Sequence, residues 1–202
     1  MSKTKDIFIK HKIVKSDGKA LKHYCEICDD FTKYKNIKPS IFINDILHKY
    51  KNLNVKDNNT NGKVFEYILA SVLINENLLP FYMQAKVAFV PNVDYDILLY
   101  CKEKGPIVLS AKTSLRERYK QADLEAVALK YVHRKAESFL VTADLNESKN
   151  IQNKVITGEV IGINKVVYAL SEEFDDLINY LRQHQFSEAG SVEIVKAGVI
   201  VK

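Results

Sequence analysis

Four side chains in this 202-residue sequence are of types that together can hydrolyse a phosphodiester: Glu66, Asp96, Lys112 and Glu125. Such hydrolysis needs charge neutralised on the phosphoryl oxygens, a hydroxide-like nucleophile, and help for the leaving oxygen. Magnesium supplies these when one or two carboxylates and the substrate phosphate hold it. A lysine near the attacking water stabilises its deprotonated form or the developing charge. Close behind the lysine stands a second group, Arg116-Glu117-Arg118. An arginine can donate two hydrogen bonds to guanine O6 and N7, and a glutamate accepts from cytosine N4. The triplet is therefore a candidate reader of two adjacent G·C pairs.

These residues are useful only if the chain brings them together, and its patterning predicts how. Val64, Phe65, Ile68, Leu69, Val72 and Leu73 recur at helical spacing and carry Glu66 with them. The polar stretch 54–63 before them reads as a loop, with Asn59, Thr60 or Asn61 as helix cap. Pro80 stops that helix. Strands are expected at 81–90, 96–102 and 106–112, the last two joined by the turn Lys-Glu-Lys-Gly. Asp96 opens one arm of this hairpin and Lys112 closes the other, so the two converge at one edge. A long helix at 115–135 follows, with Leu124, Val127, Ala128, Tyr131 and Val132 on one side and Glu125 on its course. Further strands are expected at 138–142, 165–170 and within 192–201, and a helix at 171–183. An antiparallel meander leading into a crossover helix and another strand means an α/β fold, a mixed central sheet flanked by helices. Residues 1–55 read as a mainly helical N-terminal portion, in which Ser40 would cap a helix facing inward through Phe42, Ile43, Ile46, Leu47 and Tyr50. Residues 56–202 read as the catalytic core.

The segment Lys112-Thr-Ser-Leu-Arg116-Glu117-Arg118-Tyr-Lys-Gln-Ala-Asp-Leu-Glu125 resembles the active-site segment of one restriction-enzyme group. That group belongs to the PD-(D/E)XK nucleases and cuts sites with CC on one side and GG on the other. In it the usual acid two residues before the lysine is replaced, and an acid is delivered from the following helix instead. Here Ser110 stands two residues before Lys112, and Glu125 is the relocated acid. The resemblance implies a type II restriction endonuclease with a PD-(D/E)XK core, hydrolysing double-stranded DNA with Mg2+ at a short palindrome of CC/GG half-sites. It implies Asp96 and Glu125 as metal ligands, Glu66 as the helix glutamate, and Arg116, Glu117 and Arg118 as base readers. A palindrome implies a homodimer, and the system implies a cognate DNA methyltransferase. The chain reads Pro91-Asn-Val-Asp94-Tyr-Asp96, with no proline directly before Asp96, so Asp94 is a rival metal ligand. Asp96 is preferred because Ile97-Leu98-Leu99 continue a strand directly from it. A structure-specific nuclease of the same fold, such as a junction resolvase, would keep the carboxylates and lysine without needing the triplet. A binding module that has lost catalysis is the other alternative.

Composition permits this and decides little. Hydrophobic residues make up 47%, net charge is +5 and the pI is near 8.9, compatible with a nucleic-acid partner. Three cysteines in a chain of this length make no disulfide framework, and a reducing cytoplasm is the expected compartment. No apolar run is long enough for a transmembrane helix, so no membrane partner is expected. Cys25 and Cys28 have zinc spacing with His23 beside them. A closed site needs four ligands, and a structural zinc is not expected. The run Lys3, Lys5, Lys10, Lys12 and Lys15 reads as a solvated basic tail.

Overall fold

A computed structural model describes residues 2–14, 17–189 and 195–202. Lys15 and residues 192–194, which fall in the basic run and the last expected strand, lie outside them. Seven α-helices and six strands are found among the described residues. The strands are β1 (Phe81–Val87), β2 (Tyr95–Cys101), β3 (Gly105–Lys112), β4 (Glu137–Thr142), β5 (Lys165–Tyr168) and β6 (Val195–Val201). They form one sheet in the order β5-β4-β3-β2-β1-β6. Neighbours are antiparallel from β6 through β1 and β2 to β3, while β3, β4 and β5 run parallel. Parallel neighbours need crossovers, which α5 (Arg118–Val132) and α6 (Leu145–Thr157) provide. The sheet is therefore mixed and flanked by helices.

Ile97, Leu98 and Leu99 are all fully buried, because the centre of the sheet is covered on both faces. On one face Met83, Ile97, Leu99, Leu109 and Val141 join a cluster with Val64, Phe65, Ile68 and Leu69 of α4 (Asn58–Asn75) and with α7 (Glu172–Leu181). The N-terminal helices α1 (Lys3–Lys10), α2 (Lys19–Ile27) and α3 (Pro39–Asn52) extend the same cluster. Phe8 stacks on Tyr24 with centroids 5.6 Å apart and meets Tyr67 of α4 edge-on at 5.4 Å. The three N-terminal helices thus share one core with the sheet. The other face packs beneath α5: Leu98 and Val108 meet Leu129, and Leu140 meets Tyr119, Ala122 and Ala126.

Several local expectations are corrected. Helix α3 starts at Pro39, with Lys38 at the cap position, and Ser40 instead donates through its N–H and Oγ to Asp175 of α7 at 2.9 and 2.7 Å. Asp57 caps α4 by accepting from the Asn59 N–H at 3.2 Å, so the helix begins inside the stretch read as a loop. The inward face of α5 is Tyr119, Ala122, Ala126 and Leu129, whereas Leu124 and Tyr131 are 69% and 88% exposed. The space beneath this helix takes small residues. Its flank is closely approached by Gly162, where a Cβ would lie 2.4 Å from the Asp123 carbonyl oxygen. No helix among the described residues is long and apolar enough to cross a membrane.

Candidate active site

The site begins where two strands part. The β2–β3 pairing ends at Ile97 opposite Leu109, while β2 runs on beside β1 to Tyr95 opposite Ala85. Beyond that point a side chain replaces the ladder. Asp96 Oδ2 accepts the Ala111 N–H at 2.9 Å, the Lys112 Nζ at 2.8 Å and the Ser110 hydroxyl at 3.5 Å. Both members of the Lys112–Asp96 ion pair are largely covered, at 12% and 13% side-chain exposure. A charge-assisted pair of this kind is held more rigidly than a surface one, because its partners have little water to exchange with.

Glu66 arrives from α4 and is buried, with 8% exposure. Its Oε2 accepts Lys63 Nζ at 2.7 Å and Gln84 Nε2 at 2.9 Å. Gln84 falls between the paired positions Met83–Ile97 and Ala85–Tyr95 of β1 and β2, as Asp96 does on the other strand, and has φ +49°, a left-handed backbone inside a strand. Such conformations are costly for non-glycine residues and gather at functional sites. Burial raises the Glu66 carboxyl above its ordinary range; the charge of Lys63 opposes this, and that of Asp96 adds to it.

Glu125 arrives from α5, and its Oε1 accepts Gln121 Nε2 at 2.7 Å. The Tyr95 hydroxyl donates to the Glu125 backbone carbonyl at 3.0 Å and ties this turn of the helix to β2. Burial raises the Glu125 carboxyl too. Gln121 and Lys112 pull it back, while Asp96 and Asp94 push it further up. The charge of Asp96 therefore acts on both glutamates, while Lys112 pairs directly with Asp96 alone and Glu66 has Lys63 as its own cation. Asp94, the rival, has a side chain 54% exposed and pairs with Lys86 at 3.6 Å, so it is Asp96 that meets Lys112.

No three His, Cys, Asp or Glu side chains among the described residues form a ready-made metal-ligand group. Magnesium does not require one, since it keeps several waters and takes one or two carboxylates plus phosphate. Asp96 spends only Oδ2 on its three donors, which leaves its Oδ1 without a hydrogen-bond donor among the described residues, and a single free carboxylate oxygen is the kind of ligand magnesium takes. The Cys25–Cys28 pair is different. Burial pushes the Cys28 thiol up to about 12. Cys101, also buried, belongs to β2.

Arg116, Glu117 and Arg118 are exposed at the entry to α5. Among the described residues no hydrogen bond or ion pair joins them to the carboxylate cluster. Glu117 pairs with Lys120. Arg116 has φ +30°, and the turn is held by Glu147 of α6, which accepts the Leu115 N–H at 2.5 Å and the Arg116 N–H at 3.0 Å. Lys63, Gln84, Gln121 and Glu147 were not singled out in the sequence. The pattern Asp144-x-x-Glu147 is a readable helix-start signature, whereas Gln84 carries no signal of its own.

No family model matches the chain, and no match is found among curated proteins or solved structures.

Proposed function

We propose that this chain is a type II restriction endonuclease of PD-(D/E)XK type, cutting double-stranded DNA in a magnesium-dependent reaction. The observation that carries the reading is the largely covered Asp96–Lys112 pair at the parting of β2 and β3, with Glu66 on α4 and Glu125 on α5 near enough for the charge of Asp96 to act on both. The sequence resemblance from Lys112 to Glu125 supports the same assignment. Asp96 and Glu125 would hold the metal, with Asp94 less well placed beside Lys86. Bound there, magnesium would neutralise phosphoryl charge and acidify a water. Lys112 presents its Nζ beside Asp96, where a positive charge stabilises the attacking oxygen or the charge developing on phosphorus. Glu66, held by Lys63 and Gln84, supports the far side of the cluster. Water is limited there because Lys112 and Asp96 are largely covered.

Arg116, Glu117 and Arg118 are exposed and serve as the major-groove readers of a CC/GG half-site. For Glu117 to accept from a cytosine, its ion pair with Lys120 must open; Lys120 is then available to a phosphate. A palindromic site calls for a homodimer, and host protection calls for a cognate DNA methyltransferase. The test is digestion of unmethylated phage DNA with magnesium, beside Lys112→Ala. Discrete fragments from wild type and none from the variant support the proposal. Intact DNA with folded wild type across several unmethylated substrates contradicts it.

A further inference from the structure

Glu147 stands at the third position of α6, three residues after its cap Asp144. In a capping box the carboxylate at that position turns back to the cap residue's own N–H. Here the Asp144 side chain does its half, accepting the Glu147 N–H at 2.9 Å. The Asp144 N–H, however, goes to the Thr142 hydroxyl at 3.3 Å. The Glu147 carboxylate is turned away from its own helix and spends one oxygen on each of two consecutive N–H groups, those of Leu115 and Arg116.

The segment it grips is otherwise held by the turn's own backbone bonds, the Leu115 carbonyl accepting the Arg118 and Tyr119 N–H groups at 2.5 and 3.3 Å. Leu115 is fully buried beside Tyr119, Leu140 and Ile151, but Arg116, Glu117 and Arg118 are all exposed. Arg116 adopts φ +30°, a conformation that is costly for a side-chain-bearing residue and that the Glu147 contacts help to hold. A carboxylate is suited to that grip. Two adjacent N–H groups pointing the same way form an anion-binding nest, and a half-buried acid binds them more firmly than a neutral acceptor. The peptide that Glu147 fixes sets the direction in which the Arg116 side chain leaves the backbone, and through Leu115 the first turn of α5, where Arg118 begins.

We infer that Glu147 is a positioning residue for sequence recognition: its carboxylate locks the 115–116 peptide so that Arg116 and Arg118 present their guanidinium groups to the bases in one fixed geometry. This rests on the reading of the triplet as a DNA-contacting element. The clamp couples the β4–α6 connection to the triplet, so base discrimination depends on a residue that touches no DNA.

The experiment compares wild type, Glu147→Ala and Glu147→Gln on two duplexes with magnesium: the mapped cognate site and the same duplex with one base pair changed. With Glu147→Ala the cognate rate falls more than the non-cognate rate, and their ratio drops at least about tenfold, the scale of one good bidentate base contact. Glu147→Gln keeps one acceptor oxygen and falls between Ala and wild type. An unchanged ratio in both variants overturns the clamp. A parallel loss on both duplexes in both variants also overturns it, because it marks a merely structural role. Wild type cutting both duplexes equally overturns the triplet reading beneath it, a failure visible before any variant is made.

Discussion

At the parting of β2 and β3 the acidic and basic side chains leave elements packed in the core, and each has a partner: Asp96 with Lys112, Glu66 with Gln84, Glu125 with Gln121. The 116–118 turn is built the other way. Its three side chains are exposed between buried Leu115 and Tyr119, and its backbone is held by its own turn bonds and by one carboxylate from α6. The proposed nuclease reading accounts for the difference by what each region would have to do. In-line displacement tolerates little error in the position of reacting atoms, so its groups sit on strands and helices. Base edges are read at the surface, so readers must protrude. The cost of the first arrangement is like charge packed together in low dielectric. The cost of the second is backbone strain at Arg116.

The largest expected effect separates the two regions by rate. Lys112→Ala lowers cleavage by at least about 10²–10³-fold, as for loss of a charge-stabilising donor, while binding to the cognate duplex, followed by gel shift in calcium, persists. Arg118→Ala does the reverse in kind: it costs about 1–3 kcal/mol of discrimination at one G·C pair and leaves slow, less selective cutting, measured as the ratio of rates on matched and altered duplexes. Equal loss on both duplexes would erase the proposed division of labour. Asp144→Ala removes the cap of α6, and with it about 1 kcal/mol of stability, corresponding to a fall in Tm of about 2–4 °C for a chain of this size.

The smallest effect sharpens the electrostatic side of the comparison. Burial raises Glu66 above its ordinary value of 4.5, so folding disfavours its ionised form. For such a group the stabilising contribution is complete below the unfolded pKa and is lost as pH rises through the raised folded one. Without magnesium, Glu66→Gln is therefore expected to melt above wild type at neutral pH, with the difference closing as pH falls toward about 4. Thermal melts across that window check the sign; a variant less stable at neutral pH would show that the Lys63 and Gln84 bonds outweigh the burial.

Much of the frame was legible because burial imposes a period on sequence. Helix α4, the hairpin of β2 and β3, and strand β4 announced themselves through dense apolar residues, and Asp96, Lys112 and Glu125 could be placed from their position on those elements. Helix α5 was found but turned wrongly. Its large apolar residues Leu124 and Tyr131 point to solvent while Ala122 and Ala126 face the sheet, since a helix lying close over a sheet selects for size as well as hydrophobicity. Helix α6 passed unnoticed because only Ser148 and Ile151 are buried along it. With it went Glu147, whose role depends on a turn more than 30 residues earlier in the chain. Gln84 was illegible for a similar reason: its part in the site comes from a left-handed φ and a partner on α4, neither of which composition or spacing encodes.

The most direct test of the central claim sets four single variants, Glu66→Gln, Asp96→Asn, Lys112→Ala and Glu125→Gln, beside wild type in one magnesium-dependent cleavage assay on mapped cognate DNA. The account predicts discrete cutting by wild type and loss of cutting in all four folded variants, with cognate binding retained in calcium. Wild-type rates in Asp96→Asn or Lys112→Ala, or no cutting by wild type itself, would contradict it.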